Sequence, residues 1–345
     1  MKRERLRVGI AGYGVVGKRR RHFIDQHPRL QTVAVCDQTF RTPAALTDGV
    51  RCYPRYEQLL EEPLDALFVS LPNYLAPEVT IAGLRRGLHV FCEKPPGREV
   101  ADIERVIEVE KQHPGLLLKY GFNHRYHDSV RQALGIVRSG ELGKIINLRG
   151  IYGKSKIMPF SCGWRAERKY AGGGILLDQG IHMVDLLRLF CGEFVEVQSF
   201  VSNGYWHHDV EDNAFALMRD SHGRIAILHS SATQWQHRFS LEIALTEGYL
   251  ELRGILSGTM SYGEEKLVIG RRDESDIGTT REETVNYLED NSWRDEIHEF
   301  ADAVCNGGRI TSGNSADALG TMKLVYRIYW SDPEWRKTYG IPSPD

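Results

Sequence analysis

The chain has 345 residues, 41% hydrophobic and 26% charged, enough for two ordinary domains with a sizeable core each; this excludes a disordered chain or a small disulfide scaffold. Its 44 Lys and Arg against 46 Asp and Glu leave a net charge of −2, so no global field draws it to nucleic acid or an anionic membrane. Six cysteines, at positions 36, 52, 92, 162, 191 and 305, form no Cys-x-x-Cys pair, which fits a reducing compartment. No stretch is apolar for long enough to span a bilayer. Met1-Lys2-Arg3-Glu4-Arg5 runs straight into the apolar Leu6 to Ala11, leaving no room for a signal-peptide core. A cytoplasmic protein without membrane or nucleic-acid partners is expected.

In chain order, strands are predicted at Arg7 to Ala11, Thr32 to Cys36, Ala66 to Leu71, His89 to Cys92 and Leu116 to Tyr120. Between them, Gly17 to Gln26, Tyr56 to Glu61, Pro77 to Arg86 and Val100 to Lys111 carry apolar residues at three-and-four spacing, as helices do. Repeated βα units build a parallel sheet with helices on both faces. After Gly121 the pattern changes, and Leu241, Ile243 and Leu245 alternate with polar or small neighbours, the period of a half-buried strand. Similar strands are predicted near Ile145 to Tyr152, Val195 to Val201, Ala214 to Met218, Arg224 to Leu228, Leu250 to Arg253 and Lys266 to Ile269, with closing helices near Trp293 to Cys305 and Ala316 to Trp330. The expected fold is α/β, with a dinucleotide-binding domain over 1–121 and a second α/β domain over 122–345 built on a large, open, mainly antiparallel sheet.

Gly12-Tyr13-Gly14-Val15-Val16-Gly17 follows the first strand and opens a helix, the context that a dinucleotide fingerprint requires. The first glycine permits the tight turn, the second admits a pyrophosphate, and the third lets helix and strand pack closely, while N–H groups at the helix start face the phosphates. Lys18-Arg19-Arg20-Arg21 behind it reads as a solvated helix face. Asp37, with Gln38 beside it, ends the second strand twenty residues after Gly17; a carboxylate there accepts hydrogen bonds from a ribose diol and repels a 2′-phosphate. NAD is therefore expected rather than NADP, with Arg41 the residue that favours the opposite choice.

Two further stretches carry chemistry. Gly172-Gly173-Gly174 leads to Asp178 and His182, which a helix from Ile175 would place on one face with Asp185 a turn further; a carboxylate beside an imidazole is a way to orient a base, or equally a satisfied buried pair. Phe91-Cys92-Glu93-Lys94-Pro95-Pro96 ends a strand with a lysine at the sheet's carboxyl edge, where open α/β sheets bind ligands.

With Gly121-Phe122-Asn123-His124-Arg125-Tyr126 these motifs resemble the Gfo/Idh/MocA oxidoreductases, the group of glucose-fructose oxidoreductase and inositol dehydrogenase, over essentially the whole chain. The resemblance implies a Rossmann domain, then a domain whose open sheet mediates homodimers or homotetramers. It implies that Lys94 hydrogen-bonds the reacting hydroxyl and the nicotinamide ribose, that Asp178 positions substrate and base, and that His182 takes the alcohol proton. Ser70, Leu71, Pro72, Asn73, Glu93 and Asn123 would line the dinucleotide, and Trp164-Arg165 would border cofactor and substrate, with Tyr152 on the substrate side. The chain departs from the family at Ala76, where many members carry a histidine at or near that position.

Lys154, Lys156, Arg168 and Lys169 form a candidate cationic cluster for a phosphate or carboxylate, and Tyr205, Trp206, Trp235 and Trp293 could stack on a sugar ring. His207-His208-Asp209 and the pair His124 and His127 lack the ligand set of a closed metal site, and no metal is expected. The expectation is an NAD-dependent oxidoreductase acting on a secondary alcohol or ketone of a sugar, cyclitol or sugar derivative, including a nucleotide sugar. The alternatives are an NAD-retaining glycosidase that oxidises its sugar transiently, a cis-dihydrodiol dehydrogenase or biliverdin reductase acting on a non-sugar substrate, and a non-catalytic dinucleotide-binding regulator.

Overall fold

A computed structural model describes residues 5–158, 160, 163–273 and 278–343; the first four residues and Cys162 lie outside it. Two compact units are present, one of the residues up to Asn123 with Trp293–Leu319, the other of His124–Ser292 with the residues from Gly320 onward.

The first unit holds β1 (Leu6–Ala11), β2 (Leu30–Cys36), β3 (Ala44–Ala45), β4 (Arg51–Tyr53), β5 (Ala66–Val69), β6 (His89–Glu93) and β7 (Leu118–Gly121), with α1 (Val15–Gln26), α2 (Tyr56–Leu59), α3 (Ala76–Arg85) and α4 (Val100–Lys111) between them. Sheet order is β3-β4-β2-β1-β5-β6-β7, parallel except for the β3–β4 pair. All four residues of β5 are buried, as expected of strands covered on both faces. The chain builds leftward from β1 to β2 and β4, then crosses to β5, so the order reverses beside β1 and opens a ligand crevice at the carboxyl ends.

The second unit starts with α5 (Asp128–Ser139), β8 (Ile145–Ser155), α6 (Arg168–Ala171) and α7 (Ile181–Cys191). Then come β9 (Phe194–Ser202), β10 (Asn213–Asp220), β11 (Ile225–Gln234), β12 (Arg238–Leu245), β13 (Gly248–Arg253), β14 (Glu265–Arg272) and β15 (Thr280–Tyr287). The eight-stranded order is β15-β14-β13-β12-β8-β11-β10-β9, antiparallel throughout except for β8 with β11. Strict alternation in β10 buries Ala214, Ala216 and Met218 and exposes Phe215 and Leu217. The closing elements are α8 (Ser292–Asn306), α9 (Ser315–Ser331) and α10 (Pro333–Tyr339).

The sequence places a single boundary near residue 121, whereas residues 293–319 return to the first unit. Burial explains the return: Ile297, Phe300 and Ala301 of α8 join Val8, Ile10, Val35, Phe68 and Phe91 in one core. Phe300 meets Phe68 and Phe91 edge-on, with ring centroids 5.5 and 5.7 Å away. The strands and helices anticipated from periodicity are present, whereas β3, β4, β15, α5, α6 and α10 are additions. The β15 sequence TREETVNY lies at the sheet edge and is mostly exposed, so it has no buried face to leave an apolar alternation.

Candidate active site

Along the carboxyl edge of the first sheet, Ala11 pairs in register with Cys36 and with Val69, and Val69 with Cys92. The segments that follow these strands therefore emerge side by side: the glycine loop, Asp37, Ser70 to Asn73, and Lys94. Gly12 has φ +90°, and a Cβ there would lie 2.2 Å from the Ser70 carbonyl oxygen; at Gly17 it would lie 1.9 Å from the Gly12 carbonyl oxygen. At Gly14 nothing lies within 4 Å. Packing thus forces the outer two glycines, and the middle one faces open space at the start of α1, whose first turn has no side-chain cap. Uncapped N–H groups there attract an anion. Val15 is 79% exposed on this loop, and Val16 also reaches solvent.

Asp37 fixes the same loop. One of its oxygens accepts the Tyr13 N–H at 2.9 Å, and the other accepts the Thr39 N–H at 3.0 Å and hydroxyl at 2.8 Å. A carboxylate offers about four acceptor positions, so capacity remains for a ribose hydroxyl; Gln38 beside it is exposed. The Ser70 hydroxyl is shielded from solvent and has no hydrogen-bond partner among the described residues. Leu71 and Pro72 are half-buried, while Asn73 and Asn123 are buried. The open glycine cradle, the spare acceptor on Asp37 and the orphaned hydroxyl together fit a dinucleotide.

The basic run after the glycines is placed differently from the sequence expectation, and Glu93 is bonded to it. Residues two apart in a strand share a face, and Phe91 and Glu93 both meet Arg20 of α1. Arg20 Nε donates to Glu93 at 2.5 Å and its Nη2 to Glu296 of α8 at 2.7 Å. Its guanidinium lies over the rings of Phe91 and Trp293 at 4.4 and 4.3 Å. Arg20 is fully buried, which corrects the reading of residues 18–21 as a solvated face: α1 buries Gly17, Arg20 and Ile24 on one stripe. Gly121 leaves room for this pair, since a Cβ there would come within 2.8 Å of Glu93 Oε2. Burial pushes the Glu296 carboxyl up to about 7, against the pull of Arg20 and Lys119 and with a further push from Glu93. Lys94 follows directly, half-buried, through a cis peptide bond to Pro95.

In the second unit, Leu176–Gly180 winds as a π-helical turn before α7, a deviation frequent at functional sites. It carries Asp178, which is partly exposed, while His182 in α7 is only 4% exposed. The glycines before it are sterically required: a Cβ at Gly174 would sit 2.0 Å from the Glu211 carbonyl oxygen, and one at Gly173 would sit 2.2 Å from the Tyr329 hydroxyl. The buried Glu211 carboxylate accepts the N–H groups of Gly174 and Leu176 at 2.7 and 2.9 Å and the Tyr329 hydroxyl at 2.7 Å, fixing the turn.

The His182 ring stacks on that of His124, with centroids 3.7 Å apart and planes 15° from parallel. His124 Nε2 is 3.3 Å from the Tyr152 hydroxyl, the Tyr152 ring meets Tyr262 edge-on, and the Tyr262 hydroxyl donates to Gln179 at 2.8 Å. Burial raises the Tyr152 hydroxyl well above the usual phenol range, with Tyr262 and Asp178 adding to the shift. His124, Gln179 and Tyr262 extend the expected set. His124 sits within a run that the sequence had singled out, whereas Tyr262 lies on a connection without periodicity.

Other expected residues have different partners. Asp185 receives a two-pronged grip from Arg125 at 2.6 and 2.7 Å and the Thr321 hydroxyl at 3.0 Å. His127 shares a 2.7 Å hydrogen bond with Glu265. Arg168 bonds the Gly172 carbonyl and lies over Tyr339, and Lys169 pairs with Glu167, which splits the expected cationic cluster and leaves Lys154 and Lys156 on β8 and its end. Trp164 and Arg165 occupy a 3₁₀ turn, the guanidinium 4.4 Å over the indole. Trp293 packs on Arg20, and Trp206 donates to the Ala232 carbonyl, so of the four aromatics Tyr205 and Trp235 are exposed.

Residues 6–121 match the NAD-binding Rossmann-fold model of the Gfo/Idh/MocA oxidoreductases, and residues 130–251 match that family's C-terminal domain. The chain belongs to the Gfo/Idh/MocA family. It is therefore an oxidoreductase with an NAD-binding Rossmann domain. It is 32% identical over 206 residues to 1,5-anhydro-D-fructose reductase of Ensifer adhaerens, a match that covers 58% of this chain and 61% of that enzyme. It is 28% identical over 331 residues to dTDP-3,4-didehydro-2,6-dideoxy-alpha-D-glucose 3-reductase of Streptomyces antibioticus, covering 94% of this chain and 96% of that enzyme. Levoglucosan dehydrogenase in complex with NADH and levoglucosan shares the fold, with TM-score 0.81, 20% identity, and coverage of 96% and 98%. So does a 3-ketoreductase from Actinomadura kijaniata in complex with TDP-benzene and NADP, with TM-score 0.78, 24% identity, and coverage of 95% and 98%.

Proposed function

We propose that this Gfo/Idh/MocA protein interconverts a secondary alcohol and a ketone on a sugar, cyclitol or sugar derivative, nucleotide sugars included, with NAD as its cofactor. The observation that carries the reading is His182, held face to face with His124 beside the π-turn that presents Asp178, in a chain with an open glycine cradle. A bound nicotinamide supplies the hydride acceptor or donor. His182 takes the hydroxyl proton on an imidazole nitrogen, a task suited to a side chain that can both accept and release a proton. Lys94 donates a hydrogen bond to the same oxygen and stabilises negative charge that develops there. Asp178 orients the substrate and the imidazole, and Tyr152 and Arg165 contribute to the substrate side.

Gly12 to Gly17, Ser70 to Asn73, Glu93 and Asn123 hold the dinucleotide, with Glu93 fixed by its bond to Arg20. Asp37 supports NAD over NADP. The first unit binds dinucleotide and the second binds substrate and oligomerises. Phe200, Phe215, Leu217 and Ile227 are 81, 47, 48 and 40% exposed, and register sets Phe215 opposite Phe200 and Leu217 opposite Ile227. A sheet face this apolar supports pairing with a second copy. The five described cysteines are free and among the described residues no helix is long and apolar enough to cross a membrane, which supports a reducing, cytoplasmic setting.

The test is a fluorescence titration of nucleotide-free protein with NADH and NADPH, followed by a screen of sugars, cyclitols and nucleotide sugars with NAD at 340 nm. Lys94→Ala and His182→Ala should bind NADH yet turn over substrate at least a hundredfold more slowly, roughly the worth of a positioned acid or base. Unchanged turnover in either variant refutes the assignment.

A further inference from the structure

Beside Asp37 an open cleft is lined by Tyr13, Lys18, Arg21, Thr39, Phe40 and Asp48 among others. Its floor is aromatic: the Tyr13 and Phe40 rings stack with centroids 6.4 Å apart. Its two cations flank Tyr13, with Lys18 and Arg21 each 5.8 Å from the ring centroid. The Tyr13 backbone N–H is bound by Asp37, so this cleft adjoins the carboxylate that reads the adenosine ribose. An arginine and a lysine at that place suit a phosphate, contrary to what Asp37 favours.

The structure resolves the conflict at Arg21, where each guanidinium nitrogen has a protein partner. Nε donates to Asp25 at 3.0 Å, Nη1 to the Tyr13 hydroxyl at 2.8 Å, and Nη2 to Asp48. Asp25 is tied down, since its other oxygen accepts the Thr32 N–H at 3.0 Å. Asp48 comes from the stretch between β3 and β4, and its side chain is 52% exposed against 13% for Arg21. It is the charged partner that meets both the guanidinium and the open cleft.

We infer that Asp48 is a cofactor-specificity residue: by occupying Nη2 of Arg21 it withholds a preformed cation from the 2′-phosphate of an adenine dinucleotide. This deepens, and rests on, the NAD reading above. Asp37 repels the phosphate from the ribose side, and Asp48 neutralises the group that would otherwise attract it from the helix side. A second carboxylate in the same cleft adds its own repulsion. The discrimination is thus shared between a strand end and a loop eleven positions later in sequence.

The test is a set of binding titrations on the full, nucleotide-free chain with NADH, NADPH and 2′,5′-ADP, so that no substrate is needed. Wild type, Asp48→Asn, and Asp48→Asn combined with Arg21→Gln are compared, with melting temperature as the control for folding. Asp48→Asn is expected to tighten NADPH and 2′,5′-ADP roughly three- to fivefold, the upper range of a solvent-exposed charge contact, and to leave NADH within about twofold. Adding Arg21→Gln should abolish that gain. No gain in Asp48→Asn, an equal gain for NADH, or a gain that survives Arg21→Gln overturns the inference while the NAD reading stands. A wild-type preference for NADPH overturns the NAD reading itself, and this inference with it.

Discussion

Glu296→Gln should change how stability depends on pH. Glu296 is fully buried against Arg20, and its second oxygen, Oε1, has no hydrogen-bond partner among the described residues. Burial pushes this carboxyl from the usual 4.5 up to about 7. The folded state therefore binds this proton more tightly than the unfolded state, and the contribution is fully present below pH 4.5 and is lost as the pH rises through 7. At about 1.4 kcal/mol per unit, the wild type forfeits roughly 2–3 kcal/mol from this group between pH 5 and 8. A glutamine keeps an oxygen for Arg20 and has no such proton. Urea unfolding of both proteins at the two pH values gives the difference directly, and the variant should gain on the wild type by about that amount. A stability difference equal at pH 5 and pH 8 would refute the reasoning.

Other outcomes are equally specific. Gly12→Ala sets a Cβ against the Ser70 carbonyl in a left-handed conformation and should cost NADH affinity at least about tenfold together with more than about 1 kcal/mol of stability; titration and melting check both. Phe300→Ala opens the core where three phenylalanines meet and should destabilise the chain by about 3–5 kcal/mol in urea. Phe215→Asp puts a charge in the middle of the exposed apolar face of the eight-stranded sheet, and light scattering should report an oligomer for the wild type and a monomer for the variant.

The sequence made the glycine loop legible because steric demand leaves only glycine at positions 12 and 17, and Asp37 because its distance from the loop is fixed by one helix and one strand. Asp178 and His182 stood out by their spacing after the glycines, although no local signal marks the π-turn between the glycines and α7; that turn is held by Glu211, thirty-odd positions away. Arg20 was hidden for the same reason. Inside the run of basic residues 18–21 nothing distinguishes the one that is buried, since its partners Glu93 and Glu296 lie 73 and 276 positions further on. Asp185 shows the converse: it has the spacing of a site residue, and a distant arginine decides its role. Periodicity reports which face is apolar, but pairings between far-separated charges depend on topology.

The return of residues 293–319 to the first core also bears on synthesis. A ribosome releases the β1 to β7 region long before Phe300 and Glu296 emerge, so the nascent Rossmann sheet waits with one side of its core uncovered and Arg20 lacking one of its two carboxylates. The second unit must be made before the first can be finished. A fragment ending at residue 121 should accordingly behave as an unstable, chaperone-dependent chain, and gene fusions or split-protein designs that cut there would separate a domain from part of its own interior.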